Sequence, residues 1–158
     1  MKRGTITFLK VTIFILGITI LTMCLFWLPG LARDTAEMNP DYAYLRFPVL
    51  FGLYCTAIPF FLALYQAFKL LNYIESDDAF SRLAVVSLGY IKNCAIAIII
   101  LYAIGILFLG SQSALHPGIV IIGGAITFAT LVISLFTAVL QELLRSALEI
   151  KSENDLTV

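Results

Sequence analysis

The chain has 158 residues, 61% of them hydrophobic and only 13% charged, with ten Lys/Arg balancing ten Asp/Glu. A water-soluble domain carries about 25% charged residues, and one of this size has too much surface to hide so much apolar area. Composition thus excludes a soluble globular domain, and the balanced charge offers no footprint for direct nucleic-acid binding.

A membrane-spanning helix needs about 20 mostly apolar residues. The first such run extends from Val11 to Leu31 without a charge. Lys2, Arg3 and Lys10 before it resemble the basic region of a signal peptide, but the run is longer than the usual apolar region of about 7–15 residues, so it reads as an uncleaved helix. Thr5, Thr12 and Thr19 repeat every seven residues on this helix and are expected to point inward.

The second span runs from Phe47 to Phe68, with Pro59 near its middle. Proline lacks an N–H, so the carbonyl of Cys55 loses its usual partner and a bend is expected there. The third span covers residues 90–110, with Lys92 at its inner edge, where the ammonium can snorkel to the interface. The fourth covers residues 119–140. None of these runs alternates in polarity as a barrel strand would.

The second and third helices are expected to continue past the membrane as a hairpin over residues 69–92, turning near Glu75 to Asp78. Ser76 or Asp77 is the expected cap of the third helix. The fourth helix is expected to run to about Lys151, with Glu142/Arg145 and Arg145/Glu149 at helical spacing, and the tail from Ser152 to Val158 to be unstructured.

Eight of the ten cations fall in the N-terminal segment, the middle hairpin and the C-terminal tail, and only Arg33 and Arg46 in the other two loops. The positive-inside rule then puts both termini and the hairpin in the cytoplasm. Trp27 and the Tyr42/Tyr44/Phe47 group fall where an outer aromatic belt would lie. The fold expected is an all-α integral membrane four-helix bundle in a bacterial cytoplasmic membrane, with the lipid bilayer as its first partner.

Helices meet in lipid through small residues and hydroxyls rather than through apolar bulk. Gly123, Thr127, Thr130, Ser134, Thr137 and Gln141 recur at steps of four and three, a stripe on one side of the fourth helix. It reads as a helix-packing face, since Thr and Ser can also bond their own helix carbonyls. The competing reading makes the stripe the lining of a path for a small neutral or apolar solute, which four helices could build only as a homo-oligomer.

The spans hold no Asp, Glu, Arg or His, and the single histidine, His116, precedes Pro117 in a short outer loop. Nothing converges as an enzyme's titratable groups must, and no metal or cofactor motif occurs. Cys24, Cys55 and Cys94 lie far apart in sequence, which leaves a Cys24–Cys55 disulfide open. The remaining signal is cytoplasmic: Asp77, Asp78 and Phe80 at the hairpin tip, and Asn154, Asp155, Leu156, Thr157 and Val158 at the end of an acidic tail. An apolar side chain on each polar element is the pattern of a partner-binding surface.

The Asp78-Ala79-Phe80-Ser81 turn and the Glu153-Asn154-Asp155-Leu156-Thr157-Val158 terminus resemble those of bacterial membrane proteins grouped as domain-of-unknown-function family 2975. Members of that family often continue the turn with an Asn-containing polar segment, where this chain has Arg82-Leu83-Ala84-Val85-Val86. The resemblance implies a four-span architecture and no assigned reaction. It also implies a cytoplasmic protein partner, a small helix-turn-helix transcriptional regulator. The function expected is therefore non-enzymatic: a regulatory or scaffold protein.

Overall fold

The computed structural model describes residues 3–156, and no strand occurs among them. α1 (Arg3–Thr22) and α2 (Leu28–Met38) join through a π-helical turn at Met23–Trp27 into one rod. A 3-10 turn (Pro40–Leu45) leads into α3 (Arg46–Glu75), followed by α4 (Arg82–Ser111) and α5 (Pro117–Leu156). These make four rods long and apolar enough to cross a membrane. At 1.5 Å per residue the 30 residues of α3 and α4 reach about 45 Å and the 40 of α5 about 60 Å. All exceed the hydrocarbon core of about 30 Å, so each projects past it.

The π turn follows from Pro29. Its ring excludes an α-helical bond to Leu25, and the turn before it widens so that the Leu28 N–H bonds the carbonyl of Met23. The Cys24 carbonyl is then left facing the position of Pro29, which has no hydrogen to give. Tyr54 on α3 supplies it, donating its hydroxyl to Cys24 O at 2.6 Å. Pro59, by contrast, lies inside a helix that stays continuous from Arg46 to Glu75.

The rods form an open row rather than the closed bundle expected. α3 packs on α1, α2 and α4, and α4 packs on α5, while the first and last rods share no packed interface. Burial in lipid gives apolar side chains little reason to close the row, so contact forms where small residues let backbones approach. Gly123 on α5 fits beneath Ile106 of α4, where a Cβ would sit 3.2 Å from Ile106 Cδ1. Gly17 on α1 faces Leu64 of α3 in the same way, at 3.6 Å. Thr5, Thr12 and Thr19 do not point inward; all three are exposed, and the Thr12 hydroxyl bonds the Phe8 carbonyl of its own helix. Cys24, Cys55 and Cys94 are free thiols.

Both loops close without glycine. Asp77 adopts φ 62° after α3, and the N–H of Asp78 reaches back to Tyr73 O at 2.7 Å while that of Asp77 reaches Ile74 O. Ser113 does the same after α4 at φ 55°, with Ala114 N–H on Leu109 O. Both are Schellman closures with a non-glycine residue in the left-handed position. Asp77 therefore ends α3 and, like Ser76, does not cap α4. That role falls to Ser81, whose Oγ accepts from the Ala84 N–H at 3.2 Å and donates to the carbonyl of Asp78 at 2.6 Å.

Candidate functional site

The side chains proposed for partner binding sit at the end of the row that carries the Ser76–Ser81 turn. Lys10 of α1 pairs with Glu75 at this end, and Gln141 of α5 reaches α4 near Val85. The start of α1, the α3–α4 turn and the end of α5 are thus on one side. Lys10 holds the Glu75 carboxyl below its ordinary value, first by its hydrogen bond and then by its charge. Lys10 Nζ also lies 5.5 Å from the centre of the Phe68 ring, and Lys69 Nζ lies 5.6 Å from that of Tyr65.

A group of buried side chains lies just inside this end, Leu71 of α3 with Ala84, Val85, Ser87 and Leu88 of α4. Gln141 is buried on the α5 stripe. Its Nε2 donates to Val85 O at 3.1 Å, and its Oε1 accepts from Lys92 Nζ at 3.1 Å. The amide lies flat on α4 because residue 89 is glycine; a Cβ there would stand 2.7 Å from Gln141 Nε2. Ser134, Thr137 and Gly123 are buried on the same stripe, whereas Thr127 and Thr130 are half-buried. The hydroxyls of Thr127, Thr130 and Thr137 bond the carbonyls of Gly123, Ile126 and Ile133, four residues back. Their polarity is satisfied within α5.

The turn and the terminus do not form one patch. Phe80 is 61% exposed at the turn, beside Asp77 and Asp78, which are also exposed. The tail expected to be unstructured from Ser152 is instead helical as far as Leu156; Thr157 and Val158 lie outside the described residues. Asn154 stands thirteen residues beyond Gln141, about 20 Å along the axis, whereas Ser81 is only about 6 Å beyond Val85. Asn154, Asp155 and Leu156 therefore project past the turn on a helical stem. Arg145 steadies that stem by pairing with Glu142 at 3.2 Å rather than with Glu149.

The side chain missed from the sequence is Ile150, 60% exposed on the same stem as Leu156 at 83%. Its signal was available: Leu143 and Ile150 are seven residues apart, on one face if the helix continues. Glu149 and Glu153 border the Leu143/Ile150 face on one side and Lys151 on the other, while Asp155 and Leu156 turn away from it.

Comparison with known proteins agrees with a membrane protein. The sequence model of the family described as Protein of unknown function (DUF2975) matches residues 30–158. The chain is 50% identical over 160 residues to a protein of Bacillus subtilis (strain 168) named Uncharacterized membrane protein YoaS, covering 100% of both chains. No solved structure matches. A family match over most of the chain, a full-length membrane relative and four rods fit to span a bilayer make this chain a member of the DUF2975 family and a multi-pass bacterial membrane protein.

Proposed function

We propose that the protein is a non-enzymatic membrane adaptor whose termini and α3–α4 turn face the cytoplasm. The observation that carries this reading is the α5 stem, a helix that continues about 15 residues past Gln141 and ends with Ile150 and Leu156 uncovered. A frayed tail would have to be ordered on binding, at a conformational cost, whereas a helix is already shaped to lie in a groove. That eight of the ten cations fall in the N-terminal segment, the hairpin and the C-terminal tail of the sequence supports the cytoplasmic orientation.

The partner that fits has an apolar groove with basic residues along one edge, complementary to Glu149 and Glu153 beside Ile150. A small helix-turn-helix regulator, basic where it meets DNA, has the charge for this role. The test is co-purification from native membranes after brief crosslinking, comparing the full chain with Ile150→Asp, Phe80→Ala and a chain ending at Lys151. The reading requires a DNA-binding protein that is captured by the full chain and lost with Ile150→Asp. Equal capture by all four chains removes the stem and turn as its site, and no such protein in any of them removes the adaptor.

The solute-path reading finds less support. The threonine hydroxyls of the α5 stripe bond their own helix, and Gly123, Ser134, Thr137 and Gln141 are buried in the helix row, where they cannot line a path between copies of the chain.

A further inference from the structure

At the opposite end of the row, α2, α3 and the α4–α5 loop surround a cavity of about 660 Å³. That lies within the range of about 300–1,000 Å³ usual for small-ligand sites. Leu28 and Leu31 of α2, Leu50 and Leu53 of α3, Leu109 of α4 and Ile119 of α5 make its wall largely hydrocarbon. Two tyrosines hold it in shape. Tyr42 donates to Ser113 O and Tyr44 to Gln112 Oε1, each at 2.9 Å, clasping the first loop to the last. The cavity is built before any ligand arrives.

One charged side chain lines it, that of Arg46, and no carboxylate does. Arg46 makes no ion pair among the described residues, and its Nε is buried without a hydrogen-bond partner. Phe47 lies 4.9 Å from the guanidinium carbon, covering one face of the fork and leaving its donor edge. His116 also lines the cavity, and its Nδ1 accepts from the Gly118 N–H at 3.0 Å. The ring proton is thereby assigned to Nε2, which makes that nitrogen a second donor. A buried N–H without an acceptor and a cation beside hydrocarbon are both unfavourable in lipid. A carboxylate or phosphate removes both penalties, because its two oxygens match the guanidinium fork.

We propose that this cavity binds a single-chain anionic amphiphile, a fatty acid or lysophospholipid, with its head on Arg46 and its chain among the leucines. A hydrophilic anion would leave the hydrocarbon wall unsatisfied, and a neutral lipid would leave Arg46 so.

The full chain in a non-ionic detergent is titrated with a fluorescent long-chain fatty acid and with the matching alcohol. Saturable binding of the acid is expected, with the alcohol weaker by about tenfold, the loss of one charge-assisted pair. Arg46→Gln should weaken the acid by a similar factor and leave the alcohol unchanged. Leu53→Trp, which fills the cavity, should remove both, while Arg33→Gln, whose cation pairs with Glu37 on the surface, should change neither. Equal binding of acid and alcohol, or an Arg46→Gln chain with unaltered acid affinity, overturns the proposal. Should Arg46→Gln fail to fold, the acid–alcohol difference and Leu53→Trp decide. Native mass spectrometry separates the sources: a co-purified lysophospholipid assigns the ligand to the bilayer, uptake of added acid by a bare chain assigns it to free amphiphile, and a chain that takes up neither overturns the site.

Discussion

The hydroxyl of Tyr54 on α3 donates to the main-chain carbonyl of Cys24 across 2.6 Å, and this bond completes the register change that Pro29 forces on the first span. With Leu28 bonded to Met23, Cys24 O has no main-chain donor. Tyr54→Phe should therefore lower stability by about 1–3 kcal/mol, the usual cost of stranding a buried acceptor. Pro29→Ala returns an N–H to position 29 and lets the α register close, so in that background Tyr54→Phe should be nearly neutral. Thermal unfolding of the four chains in one detergent forms the cycle. Equal losses in both backgrounds would mean that the hydroxyl acts independently of the proline.

Gly89 is the second position where one atom decides the fit. Gly89→Ala would put a methyl 2.7 Å from Gln141 Nε2, displacing the amide from Val85 O and Lys92. Overpacking of this kind costs about 1–3 kcal/mol. Gln141→Ala combined with Gly89→Ala should recover part of that loss, because the methyl then occupies space the amide has left. If the double variant is as unstable as the sum of the singles, the two residues are not coupled and the proximity is immaterial.

The spans were legible because about 20 apolar residues without a charge have one physical reading. The α5 stripe was legible because small and polar residues at helical spacing are what helix contact in lipid requires. The same reasoning failed for Thr5, Thr12 and Thr19. A threonine can satisfy its hydroxyl on its own helix, so its presence does not say which way a face points. Ser76 and Asp77, both cap-forming residues, made the start of α4 ambiguous. It was settled by the closure after α3, where Asp78 N–H reaches Tyr73 O and leaves Ser81 as cap. The outer cavity could not be read at all, since it joins Arg46 to a loop seventy residues away. The residues from Ser152 onward read as unstructured in the sequence, whereas the helix continued from the span carries them as far as Leu156.

Acid should loosen the contact of α1 with α3. Lys10 depresses the Glu75 carboxyl below its ordinary value of 4.5, so the pair's contribution is fully present above that value. It is lost as pH falls through the lower value held in the folded chain. Spin labels at Thr5 and Ser76 in liposomes should report a longer or broader distance only at strongly acidic pH. Glu75→Gln should give the broad distribution at neutral pH already and remove the acid response. A response that persists in Glu75→Gln would assign it to another group.

The α5 stem should behave as a rigid helix joined to the membrane span. Labels at Arg145 and Ser152 should give a single narrow distance, as expected for one continuous helix from Pro117 to Leu156. Leu148→Pro breaks that continuity, since proline strands the carbonyl of Leu144 and its ring clashes there, at a cost of about 3 kcal/mol within a helix. The label distance should then broaden while the spans remain helical, because Leu148 lies seven residues beyond the last buried contact at Gln141. If the stem is the docking element, Leu148→Pro should release the partner as completely as Ile150→Asp does, although it leaves Ile150 and Leu156 in place. A partner that stays bound to Leu148→Pro but not to Ile150→Asp would read the side chains as a flexible peptide, and the rigidity of the stem would then be incidental to binding.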